Sequence, residues 1–87
     1  MNRVRTPITV KSIPGSRAET GRRLKAARML ADVSLRDAAQ AAGLSYSHVS
    51  AIEHGREPLT STDALDLGAV LGCPAGWLAH GWAVEGE

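Results

Sequence analysis

Phenylalanine is absent from this chain, and its aromatic residues are one tyrosine and two tryptophans. A core without Phe has to be filled by small and branched aliphatic side chains, and Ala, Leu and Val dominate the 44% apolar content. Cysteine is nearly absent too. Cys73 stands alone, so no intramolecular disulfide can form, and a reducing cytoplasm is the expected compartment. Nothing near Cys73 in sequence lowers its pKa, so no nucleophilic or redox role is expected of it. No apolar run reaches the roughly 18 residues of a membrane span, and the N-terminus has no apolar signal-peptide core. His48 and His54 are six residues apart and His80 is remote, which is not metal-ligand spacing. Paired carboxylates, an activated Ser or Cys and a Gly-rich phosphate loop are all missing. Neither an enzyme, nor a metal or cofactor site, nor a small-molecule effector site is expected.

Net charge is also small, at +1 over 87 residues. Its distribution is not even. Residues 1–36 hold nine of the ten Lys/Arg and two of the nine Asp/Glu, a net of +7, and the remainder carries −6. A chain polarised in this way has a basic end that attracts phosphate and an acidic end that repels it. The length allows one small domain with a modest core, so packing must be economical or association must help. No room is expected for a second effector or oligomerisation domain.

Residues 1–15 contain Pro7, Pro14 and Gly15 and show no helical period. They read as a flexible arm, extended or disordered, carrying Arg3, Arg5 and Lys11, which either follows a DNA backbone or groove or is a solvated tail. Ser16 and Glu19 then give a capping-box pattern, and a first helix runs to about Ala31 with Leu24, Ala27 and Leu30 or Ala31 as its apolar stripe. Arg22, Arg23 and Lys25 lie largely off that stripe, as a solvated face or as phosphate contacts. Ser34 and Asp37 repeat the capping signature before a second helix that buries Leu35, Ala38, Ala39 and Ala42 and ends at Gly43. Ser45 caps a third helix ending at Gly55. Thr60, Ser61 or Thr62 opens a fourth, and Gly68 within it implies close approach of another helix, since it costs about 1 kcal/mol relative to Ala. Gly72 closes the fourth. Pro74 opens a fifth, with Trp77 in the core, which Gly81 ends. Trp82 and Val84 lie in a tail, 82–87, where they pack on the domain or form a dimer contact.

Residues 34–55 carry the most information. Ala39, Gly43 and Val49 fall at spacings that let two short helices cross closely through a tight turn. On a helical wheel Val49 and Ile52 point inward, flanked by Tyr46 and Glu53. Ser47, Ser50, Ala51 and His54 point away, and His48 sits at the border. A face this slim fits a DNA major groove about 12 Å wide. Ser47 and Ser50 can bond base edges, Ala51 can touch a thymine methyl, and Tyr46 can reach a base or a phosphate.

The segment from Gly21 to Gly81 resembles the lambda-repressor/Cro-type (XRE-like) helix-turn-helix family. The matching marks are R-L-K-A-A-R (23–28), A-A-Q-A-A-G-L-S (38–45), V-S-A-I-E-H-G (49–55), L-G-A-V-L-G (67–72) and W-L (77–78). The resemblance implies an all-α, compact five-helix DNA-binding domain over 16–81, with the helix-turn-helix at 34–55. It implies base reading by Tyr46, Ser47, Ser50 and Ala51. Phosphate contacts are implied at Ser34, Arg36 and Ser45 around the two helix N-termini and at His54 and Arg56 after the third helix. It also pairs Arg28 with Glu53 as a structural salt bridge, one that can present Arg28 to a phosphate. Two departures stand out. Leu35 occupies a position where the family often has Gln, and the third helix has no Arg, Lys, Asn or Gln at all. The function implied is a transcriptional regulator, a repressor of Cro, compact-repressor or excision-control type from phage or prophage, binding a double-stranded operator as a homodimer in a bacterial cytoplasm. The other reading is a protein-interaction module, antitoxin-like, that docks a partner through the acidic C-terminal half.

Overall fold

The computed structural model describes residues 16–81. Five helices follow one another: α1 (Arg17–Leu30), α2 (Leu35–Ala42), α3 (Tyr46–Glu53), α4 (Ser61–Leu71) and α5 (Ala75–His80). No strand occurs among the described residues. The expected arm, with Arg3, Arg5 and Lys11, and the tail, with Trp82 and Val84, lie outside them.

Each of the first four helices starts where a hydroxyl can take a backbone N–H that the helix leaves unpaired. Ser16 Oγ accepts from Glu19 N at 3.1 Å, Ser34 Oγ from Asp37 N at 3.0 Å, and Ser45 Oγ from His48 N at 3.1 Å. Of the three candidates at the fourth start, Thr60 is the cap, and it alone has the reciprocal bond: Asp63 N donates to Thr60 Oγ1 and Thr60 N donates to Asp63 Oδ2. Pro74 precedes α5 without a side-chain bond.

The core draws on all five helices. Leu24 of α1, Val49 and Ile52 of α3, Leu67 of α4 and Leu78 of α5 are fully buried, and Ala38 and Ala39 of α2 complete it. Helix α1 packs on α3 and α5, α2 on α3 and α4, and α4 on α5. The apolar stripe of α1 stops earlier than the sequence period implies. Leu24 and Ala27 are buried, whereas Leu30 is 88% exposed and Ala31 is also exposed. The last turn of α1 therefore runs past the elements that would cover it. Trp77, expected in the core, is half-buried at its margin. Gly68 is pressed by the chain reversal after α4 rather than by a facing helix, since a Cβ there would stand 2.6 Å from the Cys73 carbonyl oxygen.

Candidate nucleic-acid interface

The turn between α2 and α3 is built as its spacing implies. Gly43 adopts φ 74°, which a side-chain-bearing residue rarely tolerates. Gly43 N donates to Gln40 O and Leu44 N to Ala39 O, at 3.1 and 2.9 Å, closing the end of α2. Ala39 is 2% exposed, small enough for α3 to cross close above it.

Burial of Val49 and Ile52 decides which side of α3 faces out. Tyr46, Ser47 and His54 are exposed. Ser50 and Ala51, which the wheel also turns outward, are only half-exposed. The reason lies after the helix: the following loop folds back, and Arg56 N and Glu57 N both donate to the Ala51 carbonyl, at 2.8 and 3.3 Å. His54 curls onto its own helix, with Nδ1 2.7 Å from Ser50 O. A carbonyl only accepts, so this contact places the proton on Nδ1 and turns Nε2 away from it.

One side chain links the start of α2 to the start of α3. The Arg36 guanidinium lies 5.2 Å from the centroid of the Tyr46 ring, a cation–π distance. Ser34 and Ser45 cap these same two helices, so each start carries backbone N–H groups that the helix leaves unpaired. Anions are attracted to such helix starts.

Behind the outer face, α3 is held from three directions. Arg28 of α1 grips Glu53 through two bonds, Nε to Oε2 at 2.6 Å and Nη2 to Oε1 at 3.2 Å, and its Nη1 donates to Val33 O at 3.0 Å. The bond to Glu53 raises the Arg28 pKa further above its already high value. Only 15% of the Arg28 side chain and 5% of the Glu53 side chain is exposed. Three of Arg28's five donors are thus spent inside the protein.

The second hold is steric. At Gly21 of α1 a Cβ would stand 2.5 Å from Ile52 O and 2.6 Å from Glu53 O, so α1 and the end of α3 meet backbone to backbone.

His48 is the third. Its Nε2 lies 2.9 Å from Asp63 Oδ2 in α4 and its Nδ1 3.3 Å from Glu57 Oε1 in the loop. Two carboxylates ask for two N–H donors, which only the imidazolium supplies. The bond to Asp63, ahead of the weaker opposing effect of burial, raises the His48 pKa above the ordinary imidazole value.

The basic residues sort by what they already touch. Arg22 and Arg23 both reach Glu19, at 3.3 and 3.5 Å. Arg23 does more: its Nε and Nη2 donate to the Leu78 and Ala79 carbonyls at 3.0 and 3.2 Å, tying α1 to the C-terminal end of α5. Those carbonyls have no partner within the helix, and a cation is favoured there. Arg17 Nη1 donates to the Arg56 carbonyl at 3.2 Å, fixing the loop after α3. Lys25, Arg36 and Arg56 are exposed, and none makes a salt bridge among the described residues.

A family model described as a helix-turn-helix domain matches residues 19–80, which takes in α1 from its third residue and all of α2 to α5. The chain belongs to the helix-turn-helix domain family. None of the curated proteins matches it. Membership makes the protein a DNA-binding regulator in the general sense. The helix-turn-helix contains no group of three His, Cys, Asp or Glu able to hold a metal among the described residues, and no described helix is long and apolar enough to cross a membrane. Burial raises the Cys73 pKa, which leaves that thiol less reactive than a free one.

Of the residues singled out from sequence, Arg36 and Tyr46 come into contact, and Ser34 and Ser45 cap the two helices that carry them. Ser47 follows on α3, and His54 and Arg56 mark the other end of the helix. Arg17, Gly21, Arg23 and the contacts of His48 were not legible as parts of the site. Each matters through a partner at least nine residues away, beyond the reach of a local pattern.

Proposed function

We propose that this protein is a sequence-specific repressor that binds a double-stranded DNA operator as a homodimer and lays α3 in the major groove. The observation that carries this reading is the Arg36–Tyr46 contact, which links the starts of α2 and α3. Two capped N-termini and the Arg36–Tyr46 stack lie beside an outer α3 face of small side chains, Ser47, Ser50 and Ala51. Such an arrangement admits DNA closely and offers donors to phosphate. Ser34 and Ser45 contact the backbone on one side of the groove, and His54 and Arg56 contact it on the other. Tyr46, Ser47, Ser50 and Ala51 face base edges. Occupying a promoter with a compact domain excludes polymerase, so repression is the simplest outcome.

Support for a dimer comes from the far side of the molecule. Met29 and Leu30 are 63% and 88% exposed. Leu30 borders a groove of about 400 Å³ that is also lined by Ala31, Leu71, Cys73, Pro74 and Trp77. Exposed large apolar side chains beside an apolar groove favour association.

Selection of bound duplexes from a random pool tests the whole reading. A palindromic site is expected, with half-sites one helical turn apart, about 34–36 Å. Affinity should fall steeply with salt, with a log–log slope of about −0.9 per phosphate contacted. Failure to enrich any duplex would refute DNA binding. An enriched site without symmetry would refute the dimer alone.

A further inference from the structure

We infer that Arg36, carried on α2 and stacked on Tyr46, reads a guanine in the major groove and supplies the two-point base contact that α3 cannot make. The inference rests on the DNA-binding reading above and assigns Arg36 a specificity role in place of the phosphate contact expected from sequence.

Helix α3 is Y-S-H-V-S-A-I-E. Val49 and Ile52 are buried in the core. Both nitrogens of His48 and both carboxylate oxygens of Glu53 already have partners. Tyr46, Ser47, Ser50 and Ala51 remain. A hydroxyl donates and accepts at a single atom, so none of these can bond both acceptors, O6 and N7, on the major-groove edge of guanine. Only a guanidinium or an ammonium does that well.

Among the described residues Arg36 has one partner, the Tyr46 ring. Tyr46 opens α3, at the end where this fold contacts bases. A guanidinium 5.2 Å from that ring is therefore held beside the first turn of the recognition helix. A cation–π contact uses the charge of the guanidinium and not its N–H groups, which are left for a bidentate contact. The other cations are elsewhere or engaged. Arg17, Arg22, Arg23 and Arg28 have internal bonds, Lys25 is on α1, and Arg56 follows α3. A phosphate needs only a point charge, which any exposed Lys supplies. A planar fork fixed over an aromatic ring suits a base.

The test repeats the random-pool selection with Arg36→Ala, Arg36→Lys and Tyr46→Leu in the full chain, with thermal melts to verify folding. Wild type should fix a guanine at one position of each half-site. Arg36→Ala should erase preference there and nowhere else, lowering affinity for the best site roughly 5- to 150-fold while hardly changing affinity for unrelated duplex. Tyr46→Leu should weaken the same position, and adding it to Arg36→Ala should change that position no further. Arg36→Lys should recover only part of the preference. The inference is overturned if Arg36→Ala weakens all sequences alike and Arg36→Lys restores them, because that is the behaviour of a phosphate contact. It is also overturned if wild type selects a site with no fixed guanine. If wild type selects no duplex at all, the DNA-binding reading itself has failed.

Discussion

A single carboxylate, that of Glu53, shows how much of the site is decided one residue at a time. It is nearly buried, and its only described partners are the two donors of Arg28. Removing Arg28 strands a charge away from water; removing both leaves an apolar gap that neighbours can fill. Arg28→Ala is therefore expected to destabilise by about 3 kcal/mol or more, and the double change Arg28→Met with Glu53→Leu by clearly less. Urea unfolding of the three proteins checks the order, and equal losses would show that the pair is too well hydrated to behave as buried. The pairing itself is legible in the sequence, through the family pattern. The role of Arg23 is not. Its spacing on α1 places it off the apolar stripe, and a solvated cation is the ordinary consequence. Its actual partners, the Leu78 and Ala79 carbonyls, lie 55 and 56 residues away. Local sequence states where a helix ends, but not which side chain from elsewhere will satisfy the carbonyls it leaves open.

At the scale of elements, legibility divides along the same line. Three N-caps, the left-handed Gly43 and the helix order follow from residues within a turn of one another and are readable, whereas the fourth cap is narrowed only to Thr60, Ser61 or Thr62. How closely α1 crosses α3 is not, because Gly21 has no local signature: it sits inside a helix, where glycine is merely unfavourable. A methyl group added there would stand 2.5 and 2.6 Å from two backbone oxygens, and those cannot swing aside as a flexible side chain does. Gly21→Ala should thus destabilise by about 1–3 kcal/mol through overpacking, although Ala is better in a helix by about 1 kcal/mol. A melting temperature above wild type would mean that α1 can slide and that the crossing is loose. The tie between α3 and α4 makes a different prediction, in pH. His48 is held between Asp63 and Glu57, and its pKa is raised in the folded state. Its stabilisation is complete below the unfolded value of about 6.5 and is lost as pH rises through the higher folded value. Unfolding free energy should therefore decline as pH rises from about 6.5 through that higher value in wild type. His48→Gln should flatten that decline, and an identical pH profile in the variant would place the titrating group elsewhere.

For the molecule as a whole, the question is where attraction to DNA comes from. Between residues 16 and 81 the basic and acidic residues balance, seven against seven. Internal pairing neutralises several of the cations, leaving Arg17, Lys25, Arg36 and Arg56 exposed without a salt bridge among the described residues. A neutral domain with a few aimed charges can choose among sequences, but it exerts little pull at distances beyond the roughly 8–10 Å over which salt screens. The excess positive charge of the chain sits before Ser16, in Arg3, Arg5 and Lys11. The expected division of labour gives geometry and selectivity to the helical domain and charge to the arm. Replacing Arg3, Arg5 and Lys11 together by Ala should leave the melting temperature and the selected sequence unchanged. It should make the log–log salt dependence of binding shallower by about 0.9 for each phosphate that the arm no longer neutralises. Affinity should fall most at low salt, where counterion release contributes most. An unaltered slope would mean that the arm stays off the DNA and that Arg36, Arg56 and the helix N-termini carry the whole electrostatic attraction. A changed sequence preference would instead make the arm a reader, inserted in a groove rather than following the phosphates.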